Sequence, residues 1–227
     1  MAKSRNKPQP VVVNRPPASN LMRNLMAPPA SRSEGHALQL QPIKFQEAAD
    51  GTTISFGLDI STAPVPQRRY ACDVCSLEFD GRDVRFIFGQ KSLGDGPLDS
   101  ALVIRMSPIA GEQFYTSIEQ MHSPGLVDIA RITGIAAESL QPIKERPHQM
   151  ANMVANFVGV AVSGFETCLD FYHASAFSMR NAIDRNSLEI EPVVRVDIRT
   201  SLFMSVVDEL KSIVTRIAAM KAEASHA

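Results

Sequence analysis

Two stretches of this chain alternate apolar and polar residues about a glycine in the same way, and that repetition limits the folds open to it more than any other feature. Asp80-Gly81 and Ser163-Gly164 each separate two alternating runs. Before the glycine stand Cys75, Leu77 and Phe79 in one case and Val158, Val160 and Val162 in the other, at identical offsets. After it stand Val84, Phe86 and Phe88, matched by Thr167, Leu169 and Phe171. A period of two puts each trio on one face of a strand, so each glycine marks a tight hairpin. A third alternating run follows in each half, at 102–106 and 193–198, with Arg105 and Arg195 at the matching place on the polar face. Helices come next, started at Ser107-Pro108 and at Thr200 or Ser201. Their apolar positions share a spacing, Phe114, Tyr115, Ile118 and Met121 against Val206, Val207, Leu210 and Ile213.

Each half therefore reads strand, strand, strand, helix. A lone half of about 50 to 70 residues has only a marginal core, so the two should join by sheet edges or helices. The expected fold is α+β: a duplicated antiparallel three-stranded meander plus helix, arranged about a pseudo-twofold in one body. The repeats span 67–121 and 152–220, joined by a connector at 122–151 in which 126–135 suits a short helix. Residues 221–227 are expected to be a flexible C-terminus. At 35–66, alternation on both sides of Asp50-Gly51 predicts two N-terminal strands, ended by Pro64 and Pro66.

Residues 1–34 differ in kind. They hold six prolines and six basic residues against Glu34 alone, a net charge of +5, leaving 17 basic against 23 acidic residues, or −6, for the rest. Prolines so spaced prevent long helices and strands, and a disordered basic tail is expected. Apolar residues make up 44% of the whole chain, enough for a core. The best apolar run, 153–162, is too short to span a membrane, and the N-terminus lacks the apolar region of a secretory signal. Three cysteines cannot pair completely within one chain, so a reducing cytoplasm is the expected compartment.

Phe165-Glu166-Thr167-Cys168-Leu169-Asp170-Phe171 and Val103-Ile104-Arg105-Met106-Ser107-Pro108 resemble two pieces of a short bacterial family of unknown function. Its members carry a Phe-Glu-x-x-Leu-Asp-Phe strand, then a strand ending near Arg, then Ser-Pro before a helix. The resemblance covers roughly 70–121 and 152–215, once in each half, and implies a duplicated structure and no activity. The arrangement is similar to SecB-type export chaperones as a fold analogy only.

Chemistry is sparse. Cys72-Asp73-Val74-Cys75 has metal-pair spacing, but on one alternating strand the two thiols point to opposite faces, so Cys75 is expected in the core and no metal is expected. Ser163-Gly164 lacks the flanking glycine of a nucleophile elbow, and the 89–96 loop lacks the order of a phosphate-binding loop. No catalytic residues and no cofactor are expected. Arg105 and Arg195 either flank a shared anion or pair with Glu78, Asp83, Glu166 and Asp170 on the same face, the pairing being favoured. The 172–187 loop is expected to add a helical turn, packing Phe177, Met179 and Ile183 on the body.

The tail carries the sharpest feature. Leu21, Met22, Leu25 and Met26 lie on one side of a two-turn helix, stopped by Pro28 and too short to be stable alone. Its apolar side needs a groove, which makes it the expected partner-binding segment. Lys3, Arg5, Lys7, Arg15 and Arg23 could instead contact nucleic-acid phosphates. The leading expectation is a non-enzymatic bacterial interaction or adaptor protein, with another protein or larger assembly as partner, homodimerisation open and no membrane. Its body would present a polar sheet face and edges. An accessory nucleic-acid binder is the second reading and a small anionic ligand protein the third.

Overall fold

A computed structural model of the chain describes residues 40–47, 54–58, 63–92, 96–121, 137–140, 142–143, 147–185 and 187–225, the first two segments as backbone. The class is α+β. The strands are β1 (Leu40–Glu47), β2 (Ile54–Leu58), β3 (Arg69–Cys72), β4 (Val74–Phe79), β5 (Val84–Lys91), β6 (Leu98–Met106), β7 (Gln149–Val154), β8 (Phe157–Ser163), β9 (Glu166–His173), β10 (Ser187–Glu189) and β11 (Glu191–Arg199). The helices are α1 (Pro108–Met121), α2 (Ala176–Arg185) and α3 (Thr200–Ser225).

The paired alternation produces the expected hairpins. Gly81 and Gly164 adopt φ of 86° and 63°, the left-handed region that side chains resist. At the first turn the Asp80 carboxylate accepts the N–H groups of Arg82 and Asp83, each at 2.9 Å, and so sets the bend. At the second, Ser163 pairs with Glu166 across a two-residue loop. Ser107 caps α1 through its Oγ, which accepts the Ala110 N–H at 3.2 Å, and Pro108 fills the first helical position. Helix α3 follows β11 directly, anchored where the buried Thr200 and Thr167 hydroxyls meet at 3.1 Å.

The expected three-stranded sheets are each four-stranded, ordered β4-β5-β6-β7 and β3-β11-β9-β8. Three strands of each form an antiparallel ladder, and the fourth comes from the other half of the chain: β7 runs parallel to β6, and β3 parallel to β11. The 151/152 boundary thus cuts through β7. A third sheet, β10-β1-β2, contains the N-terminal hairpin expected about Asp50-Gly51.

Strand exchange makes one core of both halves. The inner trios of the hairpins, the inner residues of β6 and β11, and the apolar sides of α1 and α3 form a single cluster. At its centre the sheets meet directly, with the Phe171 ring 6.2 Å from Phe86 and 5.8 Å from Phe88. Each of these buried rings contributes about 1.5–3 kcal/mol by leaving water.

Three extents differ from the sequence expectation. Cys72 and Cys75 both face this core, because the chain leaves one sheet at Cys72 and enters the other at Val74; Asp73 is a break, and the two thiols do not share a strand. The last helix continues to Ser225, past the expected boundary at 220. The 172–187 loop holds the ten-residue α2 and β10, which cover Tyr172 through Ala182 and Leu188 in a second small cluster. The helix suggested at 126–135 lies outside the described residues.

Candidate interaction surface

The segments framing the surface are fixed by polar clamps. The Glu138 carboxylate accepts from Ser201 Oγ at 2.5 Å and pairs with Arg199 at 3.0 Å, tying the connector to the start of α3. The Asn156 side chain bridges to the backbone of Ala174 in both directions at 2.8 Å, holding the turn from β7 into β8 against the end of β9.

Arg105 and Arg195 lie in different sheets, and a carboxylate occupies each. Arg195 gives two hydrogen bonds to Asp170, from Nε and Nη2, both at 2.6 Å. That pairing raises the Arg195 pKa further and locks the guanidinium. Arg105 donates to a single oxygen of Asp83, at 3.1 and 2.8 Å. Of the four acids suggested by sequence, Asp83 and Asp170 are the partners; Arg85 engages Asp80 instead of its cross-strand neighbour Glu78.

The thiols are set back from reaction. Burial raises the pKa of Cys72 and Cys75, and Cys168 is pushed up to about 11 by burial and by its hydrogen bond to Asp197, 3.2 Å long. A thiol held protonated is a poor nucleophile and metal ligand. Among the described residues no group of three or more His, Cys, Asp or Glu side chains could hold a metal ion.

The face expected to be polar is polar throughout on only one sheet; on the other, Glu78, Arg85 and Arg105 make one end charged and the rest is mostly apolar. Outside β9 and β11 lie Asp170, Arg195, Cys168 and Asp197, but the corresponding face of the other sheet carries Val74, Ile87, Ala101 and Val103, of which Ala101 and Val103 are buried. Ile143 approaches this face over Gly89. Apolar groups also reach the surface elsewhere. Phe177 of α2 is 80% exposed and Met179 is exposed too, so neither packs on the body as expected; α2 turns Ala182 inward instead. Phe165 at the second hairpin is 69% exposed, Ile109 at the start of α1 is 60% exposed, and Met150 and Val154, four residues apart, stand on the outer side of β7.

Leu21, Met22, Leu25 and Met26, and Lys3, Arg5, Lys7, Arg15 and Arg23, lie outside the described residues. Sequence reasoning missed β7 and α2 as surface elements. The signal for the first was the absence of any charged residue from 149 to 165, and for the second the placement of Phe177 and Met179 without a helical apolar stripe. No helix of the described residues is long and apolar enough to cross a membrane. No protein-family model, curated protein or solved structure matches the chain.

Proposed function

We propose that this chain is a non-enzymatic interaction or adaptor protein, its body a scaffold that carries the N-terminal segment with Leu21, Met22, Leu25 and Met26 to a larger protein assembly. One contrast carries this reading. Arg105 and Arg195 are matched with carboxylates and the thiols are set back, while large apolar side chains such as Phe177 and Phe165 stand in solvent. Chemistry turned inward and apolar surface turned outward suit recognition better than turnover. A reducing, cytoplasmic setting fits the three free thiols. The matching order of the two four-stranded sheets supports a duplicated ancestral unit about a pseudo-twofold, in keeping with the bacterial family it resembles.

Affinity capture with the full chain and with a chain lacking residues 1–34 tests the reading. Recovery of protein partners should fall sharply on truncation; undiminished recovery would defeat the role given to Leu21, Met22, Leu25 and Met26. Salt-sensitive retention of nucleic acid, lost with the same truncation, would favour the nucleic-acid reading instead.

A further inference from the structure

Among the described residues the sheet β3-β11-β9-β8 ends on one side at β8. On the inner face of that strand Val158, Val160 and Val162 remain only half-buried, although their ladder partners Phe171, Leu169 and Thr167 are completely buried. The core is therefore open along this edge. Edges that must stay single are defended by charge. β3 and β4 are defended in this way, with Arg69 and Glu78 exposed. β8 has no such defence, since neither an acid nor a base occurs from 149 to 165.

The order of residues on β8 says what fits it. Read about Val160 the strand is nearly its own reverse, with Val158 mirrored by Val162 and Gly159 by Ala161. An antiparallel strand related by a twofold through Val160 would lay valine on valine along the inner face. On the outer face it would lay glycine on alanine, with no bulk to hold the strands apart. Neutrality also has a reason there, because a charge near a twofold faces its own copy. A partner of different sequence would gain nothing from this mirror order.

We infer that β8 is a self-pairing edge, at which a second copy of this chain joins antiparallel about Val160 and the two four-stranded sheets become one of eight strands. The contact is one strand wide, smaller than the roughly 1,200 Å² of a standard interface, so association is expected to depend on concentration.

Sedimentation equilibrium of the full chain should show a mass rising from 24.8 kDa towards twice that value with concentration. Val160→Lys places two ammonium groups on the axis and should weaken association by tenfold or more while the thermal melt stays cooperative. Val160 also touches the core, so Val160→Cys, nearly isosteric, serves as the second probe. Residues paired on an antiparallel axis lie about 4.5–5.5 Å apart between Cα atoms, within disulfide reach, and mild oxidation should yield linked dimers beyond any given by the native cysteines. A single-chain mass at every concentration, a folded Val160→Lys variant that still dimerises, or a Val160→Cys variant that does not cross-link would each overturn the inference.

Discussion

The two arginine–aspartate pairs differ in burial and geometry, and replacing each aspartate by alanine should separate them. The side chains of Arg195 and Asp170 keep 19% and 15% of their surface exposed, and each oxygen of the carboxylate receives its own hydrogen bond. Those of Arg105 and Asp83 keep 50% and 25%, and one oxygen takes both contacts. Removing one partner of a fully buried pair costs about 3–5 kcal/mol because the other charge is left in poor solvent. Residual exposure and the nearby Asp197, which also favours the charged guanidinium, reduce the expected cost of Asp170→Ala to about 2–3 kcal/mol. Asp83→Ala should cost no more than about 1 kcal/mol, as exposed pairs do. For a chain of this size that corresponds to a fall in Tm of roughly 5–10 °C against about 1–4 °C. Thermal and urea melts of both variants measure the difference. Adding Arg195→Met to Asp170→Ala should recover part of the loss, since it removes the stranded cation. Equal losses in the two single variants, or no recovery in the double, would refute the argument from burial.

Cys168, with its pKa raised from 9.0 to about 11, should react with a disulfide reagent at pH 8 roughly a hundredfold more slowly than a free thiol; Asp197→Asn should quicken it, and labelling at the free-thiol rate would contradict the assignment. Because the folded pKa exceeds the unfolded one, the stability associated with this thiol is complete below pH 9 and lost as pH rises through 11, so Cys168→Ala should flatten the decline in that window. Gly81→Ala and Gly164→Ala each force a Cβ into positive φ and should each cost about 1 kcal/mol in urea melts, with no stabilisation in either.

The hairpins, the third strands and the starts of both helices could be read from the sequence because their causes are local: alternation of period two, a glycine at the bend, a capping serine before proline. The exchanged strands could not. β7 is built of Gln, Met, Ala, Asn, Met and Val, mostly residues without strand preference, and its partner β6 lies far away in sequence. β3 is only four residues long and meets β4 across Asp73, so the two look like one strand and the faces of Cys72 and Cys75 come out wrong. The pairing of Arg195 with Asp170 followed from direct cross-strand neighbourhood, whereas Arg105 stands opposite Arg85 and reaches diagonally to Asp83, just before β5. The apolar part of the first sheet's outer face did not follow, because Val74, Ile87 and Val103 alternate with core residues that are equally apolar and erase the period.

The account rests on one core shared by both halves through borrowed strands, and native-state hydrogen exchange in rising denaturant measures this most directly. Amides of β5 and β9 should exchange through one global opening with the same free energy. Phe171→Leu, which thins the contact with Phe86 and Phe88, should lower both by the same amount. Loss of protection in β9 with β5 unchanged would mean two separate cores and would contradict the architecture described.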